Sequence, residues 1–297
     1  MYHNPVMLEK CIEGLNIKPD GVYVDVTFGG GGHSRAILER LTTGHLYAFD
    51  QDEDAAENAF DDERFTFIPQ NFKYCKNFVQ LYHGGKVDGI IADLGVSSHQ
   101  FDTPEKGFST RFDGPLDMRM SQMTPNDAAT VVNTYDHAAL TRILRLYGEM
   151  QQPQLIASDI IMARDAEPIE TTEQLKTAVQ HRLPRGKENK VLAQLFQALR
   201  IEVNQELDAL CDLLSQCPDM LVSGGRLVVM SYHSLEDRLV KNFMKTGNAE
   251  GKKEKDFYGN LLTPYNIITR KPIVPTDEET ENNSRARSAK LRIAERK

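Results

Sequence analysis

Three aspartates stand where a sequence of this kind could do chemistry. Asp25 lies in the apolar run 22–26, Asp50 closes the run 45–49, Asp93 closes the run 87–92, and four glycines, Gly29 to Gly32, follow the first run after Thr27-Phe28. A glycine turn lets a ligand lie against backbone N–H groups at the start of the next helix, while a carboxylate one strand over takes two ribose hydroxyls. That is how a βαβ unit grips a nucleoside. The loop continues His33-Ser34, so a G-x-G-x-x-G dinucleotide fingerprint fails at Ser34. S-adenosylmethionine suits the three acidic strand ends better than NAD does: it has a ribose for Asp50, a sulfonium and an ammonium for nearby carboxylates, and no pyrophosphate that needs a helix dipole. Phe72, after the third run, is placed either to stack on adenine or to pack in the core.

The elements that must position these residues form a regular rhythm. Short apolar runs at 22–26, 45–49, 65–69 and 87–92 alternate with helical patterns, as in a parallel α/β sheet. The rhythm stops after residue 98 and resumes at 226–230, with a last strand expected at 265–269. The stretch between reads as helical. Thr124-Pro125 has the form of an N-cap with proline at N1, and Thr171 to Gln174 has capping-box spacing. Leu192, Phe196, Leu199, Val203, Leu207, Leu210 and Leu214 recur every three or four residues, predicting one amphipathic helix over 189–217, about 43 Å long. Its stripe would be buried internally or across a homodimer seam. The expected organisation is a discontinuous core, 1–104 and 218–297, with an inserted helical substrate-recognition domain, 105–217.

The 297 residues carry a formal charge of −8, which argues against indiscriminate attraction to a polyanion, so any nucleic acid must meet a local basic patch. Arg182, Arg185, Lys187, Lys190 and Arg200 against Glu188 give +4 over 182–200, which reads as an RNA footprint or a solvated connector. Residues 284–297 hold six basic side chains against one acidic and follow the acidic stretch 277–281. They read as a solvated helix after a flexible linker, or as an RNA-facing segment. Arg111 and Arg119 flank Asp113 and Asp117, to meet phosphates or to pair internally. Cys11, Cys75, Cys211 and Cys217 show no C-x-x-C spacing and no zinc pattern, so reduced thiols and no metal are expected. The start, Met1-Tyr2-His3-Asn4-Pro5, has no leader pattern, and no stretch has the ~18 apolar residues of a membrane span. A cytoplasmic protein that does not enter membranes is expected.

Longer blocks carry a resemblance. Thr27-Phe28-Gly29-Gly30-Gly31-Gly32-His33-Ser34, Asp93-Leu94-Gly95-Val96-Ser97-Ser98, Gly107-Phe108-Ser109, Asp113-Gly114-Pro115-Leu116-Asp117-Met118-Arg119-Met120, Phe196-Gln197-Ala198-Leu199-Arg200-Ile201, His233-Ser234-Leu235-Glu236-Asp237-Arg238 and Arg285-Ala286-Arg287-Ser288-Ala289-Lys290-Leu291-Arg292 occur in order along the chain. Together they resemble the bacterial 16S ribosomal RNA (cytosine-N4) methyltransferases of the RsmH/MraW family. The resemblance implies a Rossmann-like, class I S-adenosylmethionine-dependent fold. It implies methyl transfer to the exocyclic N4 of a cytosine in the decoding centre of the small ribosomal subunit. It also implies cofactor contacts at Gly31, Gly32, His33, Asp50, Phe72, Asp93 and Gln100, the last from the resemblance alone. Gly30 replaces a frequent arginine, and Gln194 stands where a basic residue often precedes the Phe-Gln-Ala-Leu-Arg block.

In that chemistry the turn from Asp93 to Ser98 would supply the acceptors for the N4 protons, making Asp93 the first catalytic candidate, the alternative being that Asp93 serves the cofactor alone while backbone carbonyls or a water take the proton. His233 is the second, with Tyr232 able to stack on a flipped cytosine. The same block also reads as a helix capped by Ser234 with acidic residues in its first turn. Two competing readings are an NAD-dependent oxidoreductase, and a ribosome-assembly factor that binds the cofactor only as a sensor.

Overall fold

In the computed structural model, which describes residues 5–297, seven strands form one sheet. The expected absence of a leader in Met1-Tyr2-His3-Asn4 therefore lies outside the described residues. The strands are β1 (Val22–Asp25), β2 (His45–Phe49), β3 (Phe65–Ile68), β4 (Val87–Asp93), β5 (Leu221–Ser231), β6 (Tyr265–Ile267) and β7 (Lys290–Arg296), in the order β3-β2-β1-β4-β5-β7-β6. The first five run parallel, and β7 is antiparallel to both β5 and β6. Successive side chains on a strand point to opposite faces, so a sheet buried on both sides needs continuous apolar runs. Tyr23, Leu46, Ile91, Val228 and Met230 join one apolar cluster, with residues of α1 (Leu8–Leu15) and α2 (Gly32–Leu38). Their neighbours Val24, Tyr47, Ile90, Leu227 and Val229 join the other, with Cys75 and Val79 of α3 (Cys75–Tyr82). Strand order reverses between β1 and β4, and a crevice at the carboxyl ends of the strands is the expected ligand site.

The chain between β4 and β5 forms α4 (Ser98–Asp102), α5 (Ala128–Thr134), α6 (His137–Leu146), α7 (Pro153–Ala166), α8 (Thr172–Val179), α9 (Glu188–Asn204) and α10 (Glu206–Met220). The capping box at Thr171 and Gln174 is present. Thr124, however, caps nothing: α5 starts at Ala128, where the Asp127 carboxylate reaches the Thr130 N–H at 2.7 Å. The expected single helix over 189–217 is broken at Gln205, whose φ of 51° is left-handed. Leu192, Phe196, Leu199 and Val203 bury in the core of the helical insertion, Leu210 and Leu214 in the core of the sheet. One stripe thus serves two cores, which removes the ground for reading it as a dimer seam. The compact units are accordingly the chain up to Gly95 with Leu207–Lys297, and Val96–Glu206. Their boundaries differ from the expected 104/105 and 217/218, because the helix after Gln205 contributes its apolar face to the sheet.

The C-terminus departs most from expectation. Residues 277–281, read as a flexible linker, lie in α12 (Asp277–Asn282), which Thr276 caps, with Asp277, Glu278 and Glu279 in the first turn. Residues 290–296 are not a solvated helix but β7, with Leu291, Ile293 and Ala294 buried. Arg292 and Arg296 are spent inside the fold, and so is Glu295. Arg292 donates to Asp237 of α11 (Ser234–Thr246) at 2.6 Å, Arg226 of β5 meets Glu295 at 3.0 Å, and Arg296 donates to the carbonyls of Pro218 and Pro264. Removing one member of a buried pair strands the other, so Arg292→Met should cost about 3 kcal/mol in chemical denaturation, with Lys290, 3.5 Å from Asp237, limiting the loss. Among the described residues no helix is long and apolar enough to cross a membrane.

Candidate active site at the carboxyl edge of the sheet

The glycine loop joins β1 to α2, and each strand-end aspartate has a different duty. Gly31 caps α2 with a φ of 75°, and a side chain there would press on the rings of Phe28 and Phe60. A Cβ on Gly29, also at positive φ, would meet nothing within 4 Å, so the space over the loop is open. Asp50 fastens this turn: Oδ2 accepts from the Gly29 N–H at 2.7 Å and Oδ1 from Asp52 N at 2.9 Å. Burial pushes its carboxyl up to about 6, against the pull of those two N–H groups. Each oxygen keeps a lone pair, enough for two ribose hydroxyls.

Asp25 is turned inward. It is 1% exposed, accepts from Ser34 Oγ at 2.7 Å and from Thr27 N at 3.1 Å, and burial raises its pKa. Ser34, which breaks the dinucleotide fingerprint, is thus the partner that a buried carboxylate needs. Two strand-end carboxylates rather than three remain for a ligand.

Asp93 is the centre of the site. Its backbone N–H donates to Thr27 Oγ1 at 2.6 Å, its Oδ1 accepts from the Tyr232 hydroxyl at 2.8 Å, and its Oδ2 lies 3.8 Å from His33 Nδ1. Burial pushes this carboxyl to about 6, opposed by His33 and the Tyr232 hydrogen bond. A quarter of the side chain stays accessible. His33 is buried, and its Nε2 has no partner. An orphaned donor or acceptor beside an open glycine turn, with two ionisable carboxylates, fits an adenosyl cation.

The remaining candidates are more scattered. Phe72 opens a short 3-10 turn capped by Asn71, is half-buried and packs against the sheet cluster. Gly32 starts α2, where an added Cβ would overlap the ring of Pro5. Gln100 belongs to the other compact unit, buried in the first turn of α4, where its Oε1 accepts from Ser97 N at 3.0 Å in a capping box. His233, not Ser234, is the N-cap of α11. Buried Glu236 explains the shift: its Oε2 accepts from the backbone N–H groups of Tyr232 and His233 at 2.9 and 3.4 Å, while Oε1 lies 3.1 Å from His233 Nε2.

Of the basic residues in the insertion, Arg182 pairs with buried Asp159 at 2.8 Å, and Arg200 makes two 2.8 Å bonds to Glu206. Their charge is committed within the unit. Arg185, Lys187 and Lys190 are exposed and carry no ion pair among the described residues. Arg119 is held by both oxygens of Asp117, so it pairs internally. Gln194 donates to the Gly148 carbonyl at 2.9 Å, a structural duty for the residue that replaces a basic one. Asn204 was missed by sequence reading. It clamps the backbone of Met118 and Met120, the former at a φ of 62°, and so ties the 113–120 block to the end of α9.

Comparison with known proteins agrees along the whole chain. The profile of the MraW methylase family matches residues 1–297. The ribosomal RNA small subunit methyltransferase H of Flavobacterium johnsoniae is 58% identical over 297 residues, covering 99% of this chain and 98% of that protein. Its namesake in Cytophaga hutchinsonii is 55% identical over 298 residues and covers both chains fully. An open glycine turn with two strand-end carboxylates at the carboxyl edge of a parallel sheet, and relatives of this identity from end to end, lead to one conclusion: the chain belongs to the MraW methylase family.

Proposed function

We propose that this chain is an S-adenosylmethionine-dependent methyltransferase acting on the exocyclic N4 of a cytosine in the decoding centre of 16S ribosomal RNA. The observation that carries the reading is full-length similarity to small-subunit rRNA methyltransferases, joined to a partly exposed carboxylate, Asp93, at the strand tip beside the glycine loop. When bound, the cofactor supplies a methyl group on a sulfonium, already a strong electrophile. The chain's task is alignment, which can lower a barrier by about 7–11 kcal/mol in favourable intramolecular cases, together with removal of a proton. Asp50 would hold the ribose, Gly31, Gly32 and His33 the amino acid portion, and Phe72 the adenine, while Gln100 is the further cofactor contact that the family resemblance implies. Asp93 accepts the N4 proton. A base whose pKa lies near 6 is mostly ionised at neutral pH yet basic enough to take one. The Tyr232 hydroxyl fixes the carboxylate's orientation. Arg185, Lys187 and Lys190 supply phosphate contacts, and overall acidity leaves docking to shape and local patches.

Carboxyls at about 6 make cofactor binding pH-dependent. The bound cation and its ribose favour ionised Asp50 and Asp93, so binding releases protons, and affinity should be roughly tenfold weaker at pH 5.5 than at 7.5. Calorimetry in buffers of different ionisation enthalpy reads both quantities, and a pH-independent Kd without proton release would contradict the assignment. In the cofactor-free chain the sign is reversed. Two raised carboxyls favour the folded state below about pH 4, and that contribution is lost as the pH rises through 6.

The functional reading is tested with methyl-labelled cofactor and small subunits from cells lacking the enzyme. Label on the small-subunit RNA, absent from subunits of normal cells, supports it. Tight binding to subunits without label would select a cofactor-sensing assembly factor instead.

A further inference from the structure

A cavity of about 290 Å³ lies in the sheet unit at the same carboxyl edge, lined by Tyr232, His233, Ser234, Val274, Arg287, Ser288, Ala289 and Lys290. It sits where β5 ends and β7 begins, since Ser231 and Lys290 are register partners. Tyr232, which lines it, is the residue whose hydroxyl binds Asp93, so the cavity adjoins the carboxylate assigned to the reaction.

Its chemistry is that of an anion site with an apolar margin. Arg287 is exposed and has no ion pair among the described residues. Lys290 stands 3.5 Å from Asp237, which Arg292 also binds at 2.6 Å, so two cations share one carboxylate and a net positive charge remains. Ser234 begins the thirteen-residue helix α11, and Ser288 brings a second hydroxyl. The second observation is His233, whose side chain is 9% exposed and whose Nδ1, buried, has no hydrogen-bond partner. A buried ring nitrogen left without a partner at the wall of a polar cavity is a place where a ligand atom belongs. Of the acids within the sheet unit, Glu236 is buried under two backbone N–H groups and Asp237 is doubly paired, so neither repels an anion strongly.

From this the geometry points to a phosphate subsite: the cavity holds the RNA phosphodiester attached to the target cytidine, gripped by Arg287 and Lys290, with His233 and the first turn of α11 completing it. The inference rests on the proposed RNA substrate, and gives the C-terminal basic segment its partner. It explains why Arg287 and Lys290 face a cavity while Arg292 and Arg296 of the same segment are consumed in the fold. It also gives His233 a positioning duty toward the backbone of the substrate rather than a proton-transfer one.

The test is equilibrium binding of small-subunit RNA to the full chain, wild type and Arg287→Gln, across a salt series with S-adenosylhomocysteine present. Loss of one phosphate contact should weaken binding about tenfold at low salt and reduce the slope of log K against log salt by about 0.7–0.9. Affinity for S-adenosylhomocysteine should not move, which shows that the variant is folded. Inorganic phosphate at millimolar concentration should compete with RNA on the wild type only weakly, because the nucleoside supplies the rest of the grip; strong competition would mark a free-phosphate site and overturn the assignment. Equal affinity and equal slope for the two proteins would also overturn it. This readout needs no methyl transfer, so failure of the subsite and failure of the functional reading are told apart.

Discussion

Asp93→Asn should slow single-turnover methyl transfer by roughly 10²–10⁴-fold, the range lost when a positioned general base is removed. Asparagine keeps the shape and can still accept from the Tyr232 hydroxyl, which now bonds Oδ1 at 2.8 Å, so the pocket should stay folded. What disappears is the ability to take a proton. The wild-type rate at saturating cofactor should rise with pH and level off, with a midpoint below the value of about 6 that burial sets in the cofactor-free chain, because the bound cation favours the ionised carboxylate. The variant's residual rate should lose that inflection. Transfer within threefold of wild type, with the inflection intact, would place the proton acceptor elsewhere.

Asp50→Ala should instead act on cofactor affinity, by roughly 10²-fold, since the two charge-assisted hydrogen bonds proposed to the ribose would be lost together with the anchor of the Gly29 N–H. Calorimetric Kd and the KM for cofactor should rise in parallel, while kcat at saturation is largely kept. Asp50→Asn, which keeps an acceptor for one of the two backbone N–H groups, should fall between. A kcat collapse with unchanged Kd would assign Asp50 to the chemical step and contradict its role as a ribose clamp.

These roles were legible in the sequence to an unequal degree. Strand ends are marked by abrupt changes from apolar to acidic residues, so Asp50 and Asp93 could be placed at one edge without coordinates. Asp25 carries the same mark but faces inward, because Ser34, one turn into α2, supplies a hydroxyl that only the folded loop brings within 2.7 Å. The insertion was visible as a pause in the strand rhythm. Its far boundary was not, because heptad-like spacing continues through Gln205 although the backbone there turns left-handed and the stripe changes cores. The C-terminal strand was hidden for a different reason. A run with six cations looks solvated until Arg292 is seen on Asp237 and Arg296 on the Pro218 and Pro264 carbonyls, partners all distant in sequence. Net charge over a window likewise does not report partners, and the ion pairs of Arg182 with Asp159 and of Arg200 with Glu206 are seen only in the fold.

The most direct measurement is mass spectrometry of nucleosides released from small-subunit RNA after incubation of unmodified subunits with this protein and S-adenosylmethionine. The account predicts one new methylated nucleoside, a cytidine bearing the added methyl on N4, mapping to the decoding centre and missing when Asp93→Asn is used. A methyl group on cytosine C5, on a ribose hydroxyl or on another base would contradict it.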